Sequence, residues 1–484
     1  MRRAAKLLPL LLAMAWLAGA QVRPAPAPEP SYKDLKYPPL KEVKIPEVAR
    51  YTLPNGMKLY LLENHELPLV SGFALVRTGN LFDPPDKIGL AEITGTVMRT
   101  GGTRARTGDQ LDSLLENMAA SVESRIGETS GRVSFSALRE NTSDVLAMFK
   151  EVLTQPEFRQ DKIDLIKSQL RSSIARRNDE ADAVAGREFS ETVYGRDNPY
   201  GWRLEYEHLD RIARDDLQQF YRRYFFPSNI LLAVYGDFST AEMRGQLEKL
   251  FADWKVEQPA VPAFPPVREK PAPGVYLATK TDVTQTFFQL GHLGGALRDK
   301  DYPALQVMAD ILGGSFRSRL VKRVRTQLGY AYDVSAAWAA NYGHPGVFVV
   351  SGSTKSATTT EALEVIREEI QKMRTAEVTA EELQVAKDTV LNSFVFNFDS
   401  PGKTLSRMVN YDYYGYPADF IFQYQKAVAA VTKADILRVA KQYIRPENFT
   451  IVAAGKPQDF GRPLSALGLE VKPIDLSIPS GKTP

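Results

Sequence analysis

The sequence predicts an α+β protein of two homologous domains, each an antiparallel-rich sheet flanked by helices. Three observations carry that prediction. A chain of 484 residues is too long for one ordinary core. Stretches of strand period and helix period alternate along it. One block also occurs twice: Asp216-Leu217, then Tyr224 to Gly236, returns as Asp435-Ile436, then Tyr443 to Gly455, every pair offset by 219 residues. Each copy reads as a helix ending at Tyr, a Pro-x-Asn turn and a buried strand closing on Gly, and a repeat of that period is a duplicated domain.

Taken in order, residues 1–20 read as a secretory signal. Arg2, Arg3 and Lys6 form the basic start, Leu7 to Leu17 the apolar run, and Ala18-Gly19-Ala20 the small-residue cleavage site. The run is shorter than the ~20 residues a spanning helix needs, so no stable membrane span is expected. An exported protein, most simply of the bacterial periplasm, is the expectation. Without the signal the formal net charge falls from +3 to zero, which removes the electrostatic reason to expect nucleic acid or an anionic membrane as partner. The chain has no Cys, which excludes disulfides, thiolate zinc sites and Cys nucleophiles.

Residues 21–46 are Pro-rich and read as an extended strap. The first domain, 47–255, opens with short strands around the Leu53-Pro54-Asn55-Gly56 turn, followed by a strand from Gly72 to Thr78. Thr107 to Gln110 is a capping box ahead of Leu111, Leu114, Leu115 and Met118, and Val133, Phe135 and Ala137 alternate as a strand. Helices then run from Asn141 to Leu153 and from Asp161 to about Arg177, the second with Ile163, Ile166, Leu170 and Ile174 on one face. Residues 256–273 form a Pro-rich linker. The second domain, 274–456, repeats the order: a strand at Phe287 to Leu293, a helix from Pro303 that Gly313-Gly314 breaks, a strand at Gly346 to Gly352, and helices at Thr358 to Met373 and Ala380 to Phe396. Residues 457–484 read as a tail, packed on the surface or loose.

Between Ser318 and Ser335 the period switches within a few residues. Leu320, Val321, Val324 and Leu328 share a helical face, Gly329 ends it, and Tyr330, Tyr332 and Val334 alternate as a strand. Arg325 and Tyr332 therefore flank one tight corner. An Arg near a helix C-terminus and a Tyr on a strand are also ordinary structural choices. With its spacing, this pair resembles the Arg…Tyr signature of the pitrilysin/insulinase-type zinc peptidases, the family of insulysin and mitochondrial processing peptidase. The resemblance covers nearly the whole mature chain and implies two domains closing like a clam on an extended peptide. It also implies that Arg325 and Tyr332 bind substrate backbone and the scissile carbonyl oxyanion.

Active members of that family carry His-x-x-Glu-His on a helix of the first domain, with a later Glu completing a zinc site. The matching segment here is Gly89 to Met98. Glu92 stands at the first His, Gly95 at the general base, Thr96 at the second His, and Ser173 at the third ligand. The four His, at 65, 208, 292 and 344, lie nowhere within four residues of one another. His65 and His208 sit in polar stretches that read as surface, and His344-Pro345 reads as a turn. The resemblance thus implies a non-catalytic subunit of a heterodimer that binds no cofactor itself. A homologous His-x-x-Glu-His chain would hold the zinc, and both would act on a peptide substrate. The alternative is a non-hydrolytic peptide-binding or assembly protein of the same fold. The non-catalytic chain of mitochondrial processing peptidase carries a long glycine-rich loop, and the similar place here holds only Leu312-Gly313-Gly314-Ser315.

Overall fold

The computed structural model describes residues 46–479, so the signal and nearly all of the Pro-rich strap lie outside the described residues. The first sheet contains β1 (Ala49–Thr52), β2 (Lys58–Glu63), β3 (Leu69–Val76), β4 (Ser121–Ile126), β5 (Gly131–Leu138) and β6 (Ile230–Gly236), in the order β1-β2-β6-β3-β5-β4. Only the β2/β6 pair is parallel. β5 buries Val133, Phe135 and Ala137 and turns its serines away, the period-2 pattern of a strand with one face in the core. Against that face pack α1 (Leu90–Thr100), α2 (Gly108–Asn117), α3 (Thr142–Thr154) and α4 (Gln160–Ala175). Thr107 and Gln110 form the reciprocal capping box of α2. The half continues with α5 (Ala181–Tyr194), α6 (Tyr206–Arg211), α7 (Arg214–Tyr224) and α8 (Thr240–Leu250).

The second sheet contains β7 (Gly274–Thr279), β8 (Gln285–Leu293), β9 (Ala331–Ala339), β10 (Val347–Lys355), β11 (Thr450–Gly455) and β12 (Val471–Pro473), ordered β12-β7-β11-β8-β10-β9. Three of its five pairings are antiparallel. Its helices are α9 (Tyr302–Ala309), α10 (Thr359–Thr375), α11 (Ala380–Asn392), α12 (Pro401–Tyr414), α13 (Phe420–Ala430) and α14 (Lys433–Tyr443). The two sheets place equivalent strands in equivalent order, except that the outermost strand comes from the N-terminal side in one and the C-terminal side in the other. That strand, β12, belongs to the segment read as a tail, which also buries Leu464 and Leu467 in the second core. The helix that starts near Pro303 ends at Gly313-Gly314, as expected, with Ser315 extended beyond it. Asp310–Gly314 continues α9 as a widened π turn, and Gly313 lies so close to β9 that an added Cβ would sit 2.8 Å from the Ser335 carbonyl carbon.

Each half lends a helix to the other. α5 lays Val184, Ala185 and Phe189 on Val452, Ala454 and Ala278 of the second sheet. α12, about 220 residues further on, lays Leu405, Val409 and Tyr413 on Tyr60, Leu62, Phe73 and Leu75 of the first. Each sheet thus has its own helices on one face and its neighbour's on the other. Burying one such aliphatic side chain contributes about 1.5–3 kcal/mol. A polar clasp accompanies the exchange: the Thr129 hydroxyl at the β4–β5 turn lies 2.6 Å from the Tyr414 hydroxyl, and Tyr413 donates to the Thr129 carbonyl. On α5 itself Glu188 and Glu191 are buried and matched by Arg187, Arg196 and Arg203, so this charged helix enters the interior fully paired.

Candidate functional site

α1 is the helix on which two metal-ligand positions, Glu92 and Thr96, and the general-base position, Gly95, fall. It starts after Gly89, whose φ of 97° is a left-handed value that glycine adopts freely. The Asp83 carboxylate accepts from the Gly89 and Ala91 N–H groups, each at 2.9 Å, and so caps the helix. Burial outweighs those bonds and pushes the Asp83 carboxyl up to about 7. Glu92 lies exposed in the first turn, while Thr96 is half-buried. Gly95 is buried against β4. A Cβ there would collide with the Ile126 backbone nitrogen and lie 2.8 Å from the Arg125 carbonyl carbon. The general-base position is therefore filled by strand backbone and admits no side chain without moving β4.

Ser173 is exposed on α4, which packs beside α1, and lines an open cavity with Arg176, Arg177 and Arg187. The fold brings these two helices together but gives them no zinc donor set. Glu92, a glycine without room for a side chain, and two hydroxyls do not fit the metal that the family motif holds. Among the described residues no group of three or more His, Asp or Glu converges with metal-binding spacing.

Each His is engaged structurally. His65 bonds Asp237 at 2.5 Å and Glu63 at 3.0 Å on the surface. His208, read as surface, is buried, and its Nδ1 accepts from the Glu205 N–H as part of the α6 cap. His292 and His344 are core residues whose burial pushes each imidazole down to about 4, so both stay neutral near pH 7.

In the second half, the predicted helix before Gly329 forms as a π-helix, Val321–Gln327, with the Leu328 N–H donating to the Arg323 carbonyl. Gly329 ends it at φ 62°. Strand β9 then begins at Ala331, and its register against β10 shifts: Ser353 faces Asp333 while Thr354 faces Ala331. Tyr332 is the extra residue of this β-bulge, and a bulge re-aims the side chain it carries. Tyr332 is 76% exposed. The Arg325 guanidinium carbon stands 5.7 Å from the Tyr332 ring centre and 5.5 Å from that of Phe316, itself 81% exposed. Among the described residues Arg325 makes no ion pair and no side-chain hydrogen bond. Cation–π attraction to two rings holds it, and all its N–H donors remain available.

The corner is anchored from behind. Arg319 forks onto Glu382 at 2.7 and 3.0 Å, holding the Glu382 carboxyl down to about 2 and tying the start of the Arg325 helix to α11. Arg325 and Tyr332, paired from the sequence, are thus adjacent. Phe316 was not legible there: its only signal is an aromatic residue following Gly313-Gly314-Ser315. An exposed aromatic pair around an unpaired Arg is a surface suited to holding an extended, carbonyl-rich ligand.

Comparison with known proteins identifies the family. Residues 61–205 match the family model described as Insulinase (Peptidase family M16), and residues 211–390 match Peptidase M16 inactive domain. A Helicobacter pylori protein named Non-peptidase homolog YmxG is 24% identical over 74% of this chain and 82% of its own length. An Arabidopsis thaliana protein named Probable mitochondrial-processing peptidase subunit beta is 22% identical over 86% of this chain and 79% of its own. A solved structure described as a peptidase M16 inactive domain from Pseudomonas fluorescens superposes with TM-score 0.77 at 20% identity, covering 88% of this chain and all of that one. At that identity the likeness is one of fold.

Proposed function

Since the chain belongs to peptidase family M16, we propose that it is the non-catalytic subunit of an exported heteromeric zinc metallopeptidase, lending Arg325 and Tyr332 to a metal-bearing partner chain. One observation supports this reading above the others: among the described residues Arg325 is unpaired and Tyr332 is turned outward by a bulge, while the metal-motif helix is sealed at Gly95. A guanidinium held only by two rings can donate to peptide carbonyls, and the Tyr332 O–H can donate to an oxyanion as it forms. Neither group transfers a proton or makes a covalent bond. Both act by placing fixed donors where charge develops. The zinc belongs to the partner, a homologous His-x-x-Glu-His chain, and the assembly is a heterodimer acting on peptides in the bacterial periplasm.

The test is a tagged pull-down of the mature chain from its host, with zinc counted per mole of tagged chain. About one zinc per chain, carried by a co-eluting His-x-x-Glu-His protein, is expected. A metal-free, homogeneous eluate would sink the proposal in favour of a peptide-binding or assembly protein.

A further inference from the structure

The second half contains a cavity of about 440 Å³ between α9, α11, α12 and α13, the size of a small-molecule site. Its walls are aromatic: the rings of Tyr302 and Tyr424 stand 5.5 Å apart, and those of Tyr411 and Phe420 meet edge to face at 5.6 Å. Two charged side chains interrupt them. Asp310, on the π turn, is 7% exposed, and its Oδ2 is buried without a hydrogen-bond partner among the described residues. Arg407 on α12 donates from Nη2 to the Asn397 side-chain Oδ1, while its Nε is buried without a partner among the described residues. A buried carboxylate with no donor and a buried guanidinium N–H with no acceptor are each unfavourable, and both line one cavity.

The position of the cavity adds to this. Asp310 stands three residues before Gly313, which rests on the backbone of edge strand β9, as Glu92 stands three before Gly95 against β4. Ser393, which also lines the cavity, follows Ser173 by 220 residues. The cavity therefore occupies in the second half the place where the degenerate metal positions lie in the first. There, Glu92 and Ser173 are exposed; here the carboxylate is enclosed by α11, α12 and α13.

We propose that this cavity binds a zwitterionic amino acid with an aromatic side chain, its ammonium on Asp310, its carboxylate on the Arg407 guanidinium, and its ring against the tyrosines. The ammonium supplies the donors Asp310 lacks, the carboxylate the acceptor Arg407 lacks, and tyrosine faces suit both an aromatic ring and a cation. A pure cation would face the guanidinium, and a pure anion the carboxylate. Asp310 also borders a smaller cavity of about 240 Å³, where Arg317, Glu381 and Glu382 are spent in the Arg317–Glu381 and Arg319–Glu382 pairs and the one other charged side chain, Lys322, is exposed to solvent.

Calorimetry on the full mature chain tests the assignment with three probes: L-phenylalanine, phenethylamine without the carboxylate, and 3-phenylpropionate without the amine. Phenylalanine is expected to bind, each half-probe at least about tenfold more weakly, and Asp310→Asn and Arg407→Gln are each expected to weaken it about tenfold or more. Because these variants could perturb folding, the half-probes on unaltered protein serve as an independent arm. No heat with phenylalanine up to about 10 mM overturns the proposal. So does binding that is equal for all three probes, or binding that Ser318→Ala in the smaller cavity removes and Arg407→Gln leaves intact.

Discussion

The helix α1 of the first half and the Arg325 corner of the second meet an edge strand in opposite ways. α1 presses Gly95 into the backbone of β4, so the position of a general base is occupied by strand. At the corner, β9 carries a bulge that pushes Tyr332 outward beside Arg325. One edge is closed against chemistry and the other opened toward a ligand. The difference teaches that the lost activity of the first half is built into its packing, and is more than the absence of His.

The closure predicts the largest effect. Gly95→Glu forces β4 away from α1 and is expected to destabilise the chain by more than about 3 kcal/mol in chemical denaturation. A variant that unfolds at the same denaturant concentration as the parent would break the contrast. The exchange of helices sharpens it next. Leu405→Ala empties a fully buried contact of α12 on the first sheet and should cost about 2–5 kcal/mol although it lies in the second half of the sequence. A loss below about 1 kcal/mol would mean that α12 is not seated there.

A third effect is one of pH. The folded Asp83 carboxyl is pushed up to about 7 from an ordinary value near 4, so the folded state holds its proton more tightly than the unfolded state. Its contribution to stability is complete below about pH 4 and is lost as pH rises through about 7. The parent should therefore lose stability relative to Asp83→Asn across that window, read from denaturation midpoints at pH 4 and pH 8. A constant difference would show that Asp83 titrates at its ordinary value.

Much of this was legible in the sequence. The duplicated block placed α7 with β6 and α14 with β11, because a helix ending at Tyr, a Pro-x-Asn turn and an apolar strand are local signals. The corner from Leu320 to Val334 was legible because its apolar period changes over a few residues. Other elements were hidden by physics that a local period does not express. β4 has only Val122 and Ile126 buried, too few for an alternation to show. α5 buries two glutamates that look like surface residues until their arginines arrive from elsewhere in the chain. The bulge at Tyr332 depends on a cross-strand register, and the closure at Gly95 on a strand about 30 residues away, so neither could be read from its own neighbourhood.

The central claim is that the open corner serves another chain's chemistry. Its most direct test is peptide hydrolysis by the partner reconstituted with either the parent or Arg325→Ala/Tyr332→Phe. Both side chains lie at the surface, so the double variant should keep the parent's stability to within about 0.5 kcal/mol and bind the partner as before. Turnover should fall by about 10²-fold or more, the loss expected when fixed oxyanion donors are removed. Full turnover with the double variant, at parental stability and partner affinity, would contradict the account.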